Sequence, residues 1–148
     1  RGCDVKKFNL KTNIMSNNSN IDEDAFFKQK FSENRIFNEM EKFLFNRPKF
    51  GDYYFGITNN VFERLSAHKV PEISEEICSS STNFKMGSWF YYDAFSPDVA
   101  RYIEDYYTKN KDGEKMKGYG GGGTDDTTFV YCYKIIQGVT VEDTRSEK

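Results

Sequence analysis

Three short runs of aromatic residues constrain this chain more than any other feature of its sequence. They are Tyr53-Tyr54-Phe55-Gly56-Ile57-Thr58, Trp89-Phe90-Tyr91-Tyr92 within residues 88–95, and Val130-Tyr131-Cys132-Tyr133 within residues 129–136. All are rich in the bulky and β-branched residues that fit a pleated sheet. Aromatics make up 17% of the chain, through 14 Phe and 10 Tyr. The core must therefore be built on large rings, and each buried tyrosine hydroxyl needs a partner or water.

Helical patterns separate the runs. Residues 22–46 put Phe26, Phe27, Phe31, Phe37, Met40, Phe43 and Leu44 at helical spacing; Asp22 or Asp24 can cap this helix, and Arg47-Pro48 ends it. Asn59 or Asn60 caps a short helix from Val61 to about Lys69, ended by Pro71. A second short helix is expected near residues 72–77, before a Ser-rich loop at 79–82. Ser96-Pro97 starts a helix that runs to about Lys109. The expected fold is α+β, an α/β sandwich in which a small, mainly antiparallel three-stranded sheet is flanked by helices. One domain spans residues 21–138. Residues 1–20, ending in an Asn/Ser run, form an extended or disordered arm, and residues 139–148 form a polar tail. Gly118 to Gly123 lacks the Gly-Lys-Ser/Thr ending of a phosphate loop and precedes a strand, so it reads as a flexible connection or a lid.

Net charge is −2 with pI near 5.5, which counts against tight DNA binding by charge alone. The lysines at 109, 111, 115 and 117 leave room for a locally basic face. No apolar run approaches the roughly 18 residues that span a bilayer, so no membrane partner is expected. Cys3, Cys78 and Cys132 are too scattered for a disulfide framework or a C-x-x-C metal site. An intracellular protein, cytoplasmic or nuclear, is expected.

The chemistry concentrates around the first aromatic run. Tyr54 lies two residues before Gly56, Arg64 eight after it, and His68 four after Arg64. Downstream, a strand leads into a helix carrying Ala100-Arg101-Tyr102-Ile103-Glu104. On the 61–69 helix Arg64 and His68 project together beside an apolar stripe of Val61, Phe62 and Leu65. Glu104 sits at the margin of a stripe of Val99, Ile103, Tyr106 and Tyr107. These landmarks, in this order and spacing, resemble the second half of the signature of the GIY-YIG nuclease domain family. The resemblance covers residues 51–107.

What the resemblance implies is a divalent-metal-dependent endonuclease that hydrolyses phosphodiester bonds in DNA, with RNA as an alternative substrate. Glu104 would hold one Mg²⁺ or Mn²⁺ ion. Arg64 would pair with phosphate oxygens, Tyr54 would accept a proton from water or orient it, and His68 would assist proton transfer or bind phosphate. Tyr53, Thr58 and Asn60 are the candidate substrate-binding residues. The alternative is a catalytically inactive domain of the same fold that binds nucleic acid or protein. The family's first motif, a strand with a tyrosine upstream of Tyr54, has no counterpart, because no tyrosine precedes Tyr53. The asparagine expected after the glutamate helix is also absent. The sequence suggests a substitute: residues 130–135 pair where the missing strand would lie, and Tyr131 or Tyr133 replaces its tyrosine.

Overall fold

The computed structural model describes residues 20–45, 49–109, 114–119 and 123–144. The expected arm at 1–20 lies outside the described residues except for Asn20, where helix α1 (Asn20–Phe43) begins. A 3₁₀ turn at Phe50–Asp52 leads into β1 (Tyr53–Thr58), followed by α2 (Val61–Ala67) and α3 (Glu75–Ser80). Then come β2 (Asn83–Met86), β3 (Trp89–Asp93), α4 (Pro97–Thr108) and β4 (Phe129–Lys134).

The strands form one antiparallel sheet in the order β1-β4-β3-β2. It has four strands rather than three. The extra strand, β2, pairs Met86 with Trp89 across a tight turn, where Gly87 adopts φ +54°. Its short Asn-Phe-Lys-Met alternation sits in an otherwise polar stretch, too brief to announce a strand. The short helix expected near 72–77 lies at Glu75–Ser80, where Ser74 Oγ accepts from the Ile77 amide.

Strand alternation gives the sheet two buried faces. Tyr53, Phe55, Phe90, Val130 and Cys132 point to one, where Ile36, Met40 and Phe43 of α1 and Val99, Ile103 and Tyr107 of α4 cover them. Each fully buried large side chain contributes about 1.5–3 kcal/mol of transfer free energy. Phe31, expected on the same helical face, falls off the Ile36–Met40 stripe and is 62% exposed. Trp89, Tyr91, Tyr54, Tyr131 and Tyr133 point to the other face, against Val61 and Leu65 of α2 and Val70. This second face carries the site.

The outer edge of β1 is covered. The Phe55 amide donates to Lys117 O at 2.8 Å and the Lys117 amide to Tyr53 O at 2.9 Å, so residues 116–118 run along the strand. A Cβ at Gly118 would lie 2.4 Å from Phe55 O, so only glycine permits this approach.

Candidate active site

The chain leaves β1 through a turn held by its own side chains. Thr58 Oγ1 accepts from the Asn60 amide at 2.9 Å, and Asn60 Oδ1 caps α2 by accepting from the Glu63 amide at 3.1 Å. At the far end, the Val70 amide donates to Leu65 O and the Lys69 amide to Ser66 O, with Lys69 at φ +59°. This is a Schellman closure, and Leu65 and Val70 are buried together beneath it. It fixes His68 as the C-cap of α2 and drives its ring into the sheet face, where His68 is fully buried.

β4 supplies the phenols that meet it. Gly56 pairs with Tyr131, whose ring lies across the bare glycine: an added Cβ would stand 2.5 Å from the Tyr131 Cζ and hydroxyl oxygen. The Tyr-x-Gly spacing thus has a packing reason, since the glycine clears the strand for a cross-strand ring. Tyr54 stacks on Tyr133 at 5.3 Å and on Tyr131 at 6.2 Å, and tilts against His68 at 4.5 Å. The Tyr131 hydroxyl lies 2.9 Å from His68 Nε2, and His68 Nδ1 lies 2.7 Å from Val141 O.

Arg64, one turn before His68, places Nη2 at 2.9 Å from Thr144 Oγ1 and 3.4 Å from His68 Nε2. Glu104, on α4, is buried, and its Oε1 has no hydrogen-bond partner among the described residues. Burial, with Asp105 nearby, pushes its carboxyl up to about 7, opposed by Lys109 and Arg101. Burial also raises Tyr54 well above the usual phenol range; Tyr131, Tyr119 and Glu104 add to the rise and Arg64 opposes it. Tyr131 is pushed up to about 12 by burial, checked by the charge of Arg64 and by hydrogen bonding from Arg64 and Tyr54. Both phenols feel the charges of Arg64 and Glu104, whereas Glu104 itself responds to its burial and to Asp105, Lys109 and Arg101.

The remaining sequence candidates lie elsewhere. Tyr53 turns to the opposite face and packs on Phe43, because adjacent strand residues point in opposite directions. Thr58 and Asn60 hold the turn into α2 rather than facing Arg64. A groove of about 490 Å³ lies between α2 and α3, lined by Asn60, Phe62, Glu63, Glu75 and Cys78, and includes none of Tyr54, Arg64, His68 or Glu104. Residues 141–144, expected as part of a polar tail, contribute directly to the site. The Val141 amide bonds His68 O, Glu142 Oε2 accepts from Tyr133, and Thr144 holds Arg64. Polar residues without periodicity carry no signal that would have revealed this.

The donor set offers a hard divalent ion one carboxylate, that of Glu104. Among the described residues no group of three or more His, Cys, Asp or Glu side chains comes together. Mg²⁺, however, takes one or two carboxylates and keeps its waters, and the Glu104 Oε1 has no other partner among the described residues. No helix among the described residues is long and apolar enough to cross a membrane. Comparison with family models, with curated proteins and with solved structures finds no match to this chain.

Proposed function

We propose that the chain is a divalent-metal-dependent endonuclease of the GIY-YIG kind, acting on DNA, in which β4 supplies the tyrosine strand that the family draws from upstream. The observation that carries this reading is the clustering of Tyr54, Tyr131, Arg64 and His68 on one face of the sheet, with the charge of Glu104 felt by both phenols. The antiparallel pairing of residues 129–134 with 53–58 supports the substitute-strand idea, with Tyr131 opposite Gly56.

Hydrolysis requires a water to attack phosphorus as the bond to the leaving oxygen breaks. Arg64 pairs with the nonbridging oxygens, and its planar fork matches them as negative charge develops. Tyr54 is held protonated by burial and orients the water through its hydroxyl. His68 fixes the position of Tyr131 beside it. A cation on Glu104 would supply Lewis acidity toward the phosphate and the leaving oxygen. Tyr54 and Tyr131 are 4% and 1% exposed, so the phosphate reaches them by displacing Thr144 from Arg64 and the Tyr119 ring that rests on Tyr54. That closure favours one second reading, a non-catalytic binding domain of the same fold.

The test is cleavage of supercoiled plasmid DNA and of RNA with Mg²⁺ or Mn²⁺ by wild type, Glu104→Ala and Arg64→Ala. Each substitution is expected to lower the rate by about 10²–10³-fold. Equal cleavage by all three proteins refutes the site. Binding without cleavage establishes the non-catalytic reading instead.

A further inference from the structure

The wall behind the two phenols holds a chain of hydrogen bonds that the proposed hydrolysis does not yet use. His68 is the single histidine of the sequence, and each of its ring nitrogens lies within hydrogen-bond reach of a polar group. Val141 O can only accept, so the 2.7 Å contact puts a proton on Nδ1. Arg64 can only donate, so the Nε2 that faces both Arg64 Nη2 and the Tyr131 hydroxyl carries the lone pair. The Nδ1 proton also faces the Tyr133 hydroxyl at 3.1 Å, and Tyr133 donates in turn to Glu142 Oε2 at 2.9 Å. Every donor therefore points the same way: Tyr131 to His68, His68 to Tyr133, Tyr133 to Glu142. Tyr131, Tyr133 and His68 are buried, whereas Glu142 is partly exposed, so the chain runs from the site to solvent.

We propose that this chain is a proton relay, with Tyr131 as the group that takes the proton of the attacking water and Glu142 as its terminus. The inference rests on the nuclease reading and adds the route by which that reaction loses its proton. As the water oxygen bonds to phosphorus, its proton passes to the Tyr131 oxygen. The Tyr131 proton moves to His68 Nε2, the Nδ1 proton to the Tyr133 oxygen, and the Tyr133 proton to the Glu142 carboxylate, which becomes neutral. One proton enters at Tyr131 and one arrives at Glu142, and no charge remains on the buried rings. Loss of the Glu142 proton to water and return of the His68 tautomer reset the chain. Between the two phenols, Tyr131 is the better acceptor, because the charge of Arg64 and hydrogen bonding from Arg64 and Tyr54 favour its ionised form.

The test has two arms. In the first, nitrogen NMR of protein labelled at histidine reads one ring, and the expected resting form is protonated at Nδ1 and bare at Nε2. The opposite tautomer, or a doubly protonated ring at neutral pH, overturns the relay whatever the activity. In the second arm, Tyr133→Phe and Glu142→Gln are assayed under single-turnover conditions with Mg²⁺ and plasmid DNA. Each is expected to lower the rate constant about 10²-fold or more while leaving DNA affinity unchanged, and the double variant is expected to be no slower than the worse single one, because the two act in series. Full activity in either variant, or losses that multiply in the double variant, overturns the proposal. A wild type that binds but cuts nothing removes the nuclease reading and the use assigned to the chain, while the NMR arm still decides whether the chain exists.

Discussion

Replacing Glu104 by glutamine separates a metal-binding carboxylate from an ordinary buried one. The carboxyl is 4% exposed, and its pKa rises from the ordinary 4.5 to about 7. Between those two values the folded protein holds more protons than the unfolded chain, so stability falls as pH rises through the window. Below 4.5 both states are protonated and the cost vanishes; above 7 it is fully present. At 1.36 kcal/mol per unit, the cost of ionising Glu104 approaches about 3 kcal/mol at pH 8. Glutamine cannot ionise. The stability of Glu104→Gln relative to wild type should therefore increase by about 3 kcal/mol between pH 4 and pH 8. Any fixed penalty for burying the amide offsets both ends equally. Urea denaturation across this range measures it. Mg²⁺ supplies the second half of the experiment: at 100 times its Kd it should stabilise the wild type by about 2.7 kcal/mol at pH 8 and the variant hardly at all. Affinity for the ion should fall as pH drops below 7, because the proton and the metal compete for one carboxylate. A difference between the two proteins that does not vary with pH would show that Glu104 is not the buried acid described here.

Two further substitutions probe the parts that hold the site. Gly56→Ala puts a methyl 2.5 Å from the Tyr131 ring, and should destabilise the fold by about 1–3 kcal/mol while shifting the His68 Nε2 resonance; urea denaturation and NMR read the two effects, and an unchanged stability would mean that the ring does not lie over β1. Thr144→Ala removes the neutral acceptor that holds Arg64 Nη2, and should tighten DNA binding in Ca²⁺ about 2–10-fold, the value of one released hydrogen bond; weaker binding in fluorescence anisotropy would show that Thr144 assists rather than competes.

How much of this was legible from the residues follows from the range of each signal. Local chemistry read well: Ser96-Pro97 starts α4, Asn60 caps α2, and the three aromatic runs are strands. The pairing of residues 130–135 with β1 also followed from the sequence, because a strand without a neighbour needs one. Long-range placements did not follow. Gly118 fits against the β1 backbone, and Thr144 reaches Arg64 across 80 positions of chain; neither residue type at either place marks its partner. Tyr53 and Tyr54 are adjacent and chemically identical, and only the phase of the pleat decides which of them faces His68. The sequence gives that phase through Gly56, but only once its partner Tyr131 is known.

That dependence sets what β4 must satisfy as the neighbour of β1. An antiparallel neighbour needs the right register and a connection long enough to reach, and the 20 residues between Thr108 and Phe129 supply the reach. Register is the harder demand, since a slip of one residue would turn Tyr131 and Tyr133 into the α1 and α4 core and bring Val130 and Cys132 out to His68. Gly56 resists that slip: it is the one position on β1 with no side chain, and the Tyr131 ring occupies the space a side chain would need. The Val130 and Cys132 side chains resist it from the other face, where burial stabilises them only in the observed phase. The same pairing that closes the sheet therefore sets the phenol beside Arg64. A chain that folds in this register has its candidate site assembled already, whichever end of the sequence provided the strand.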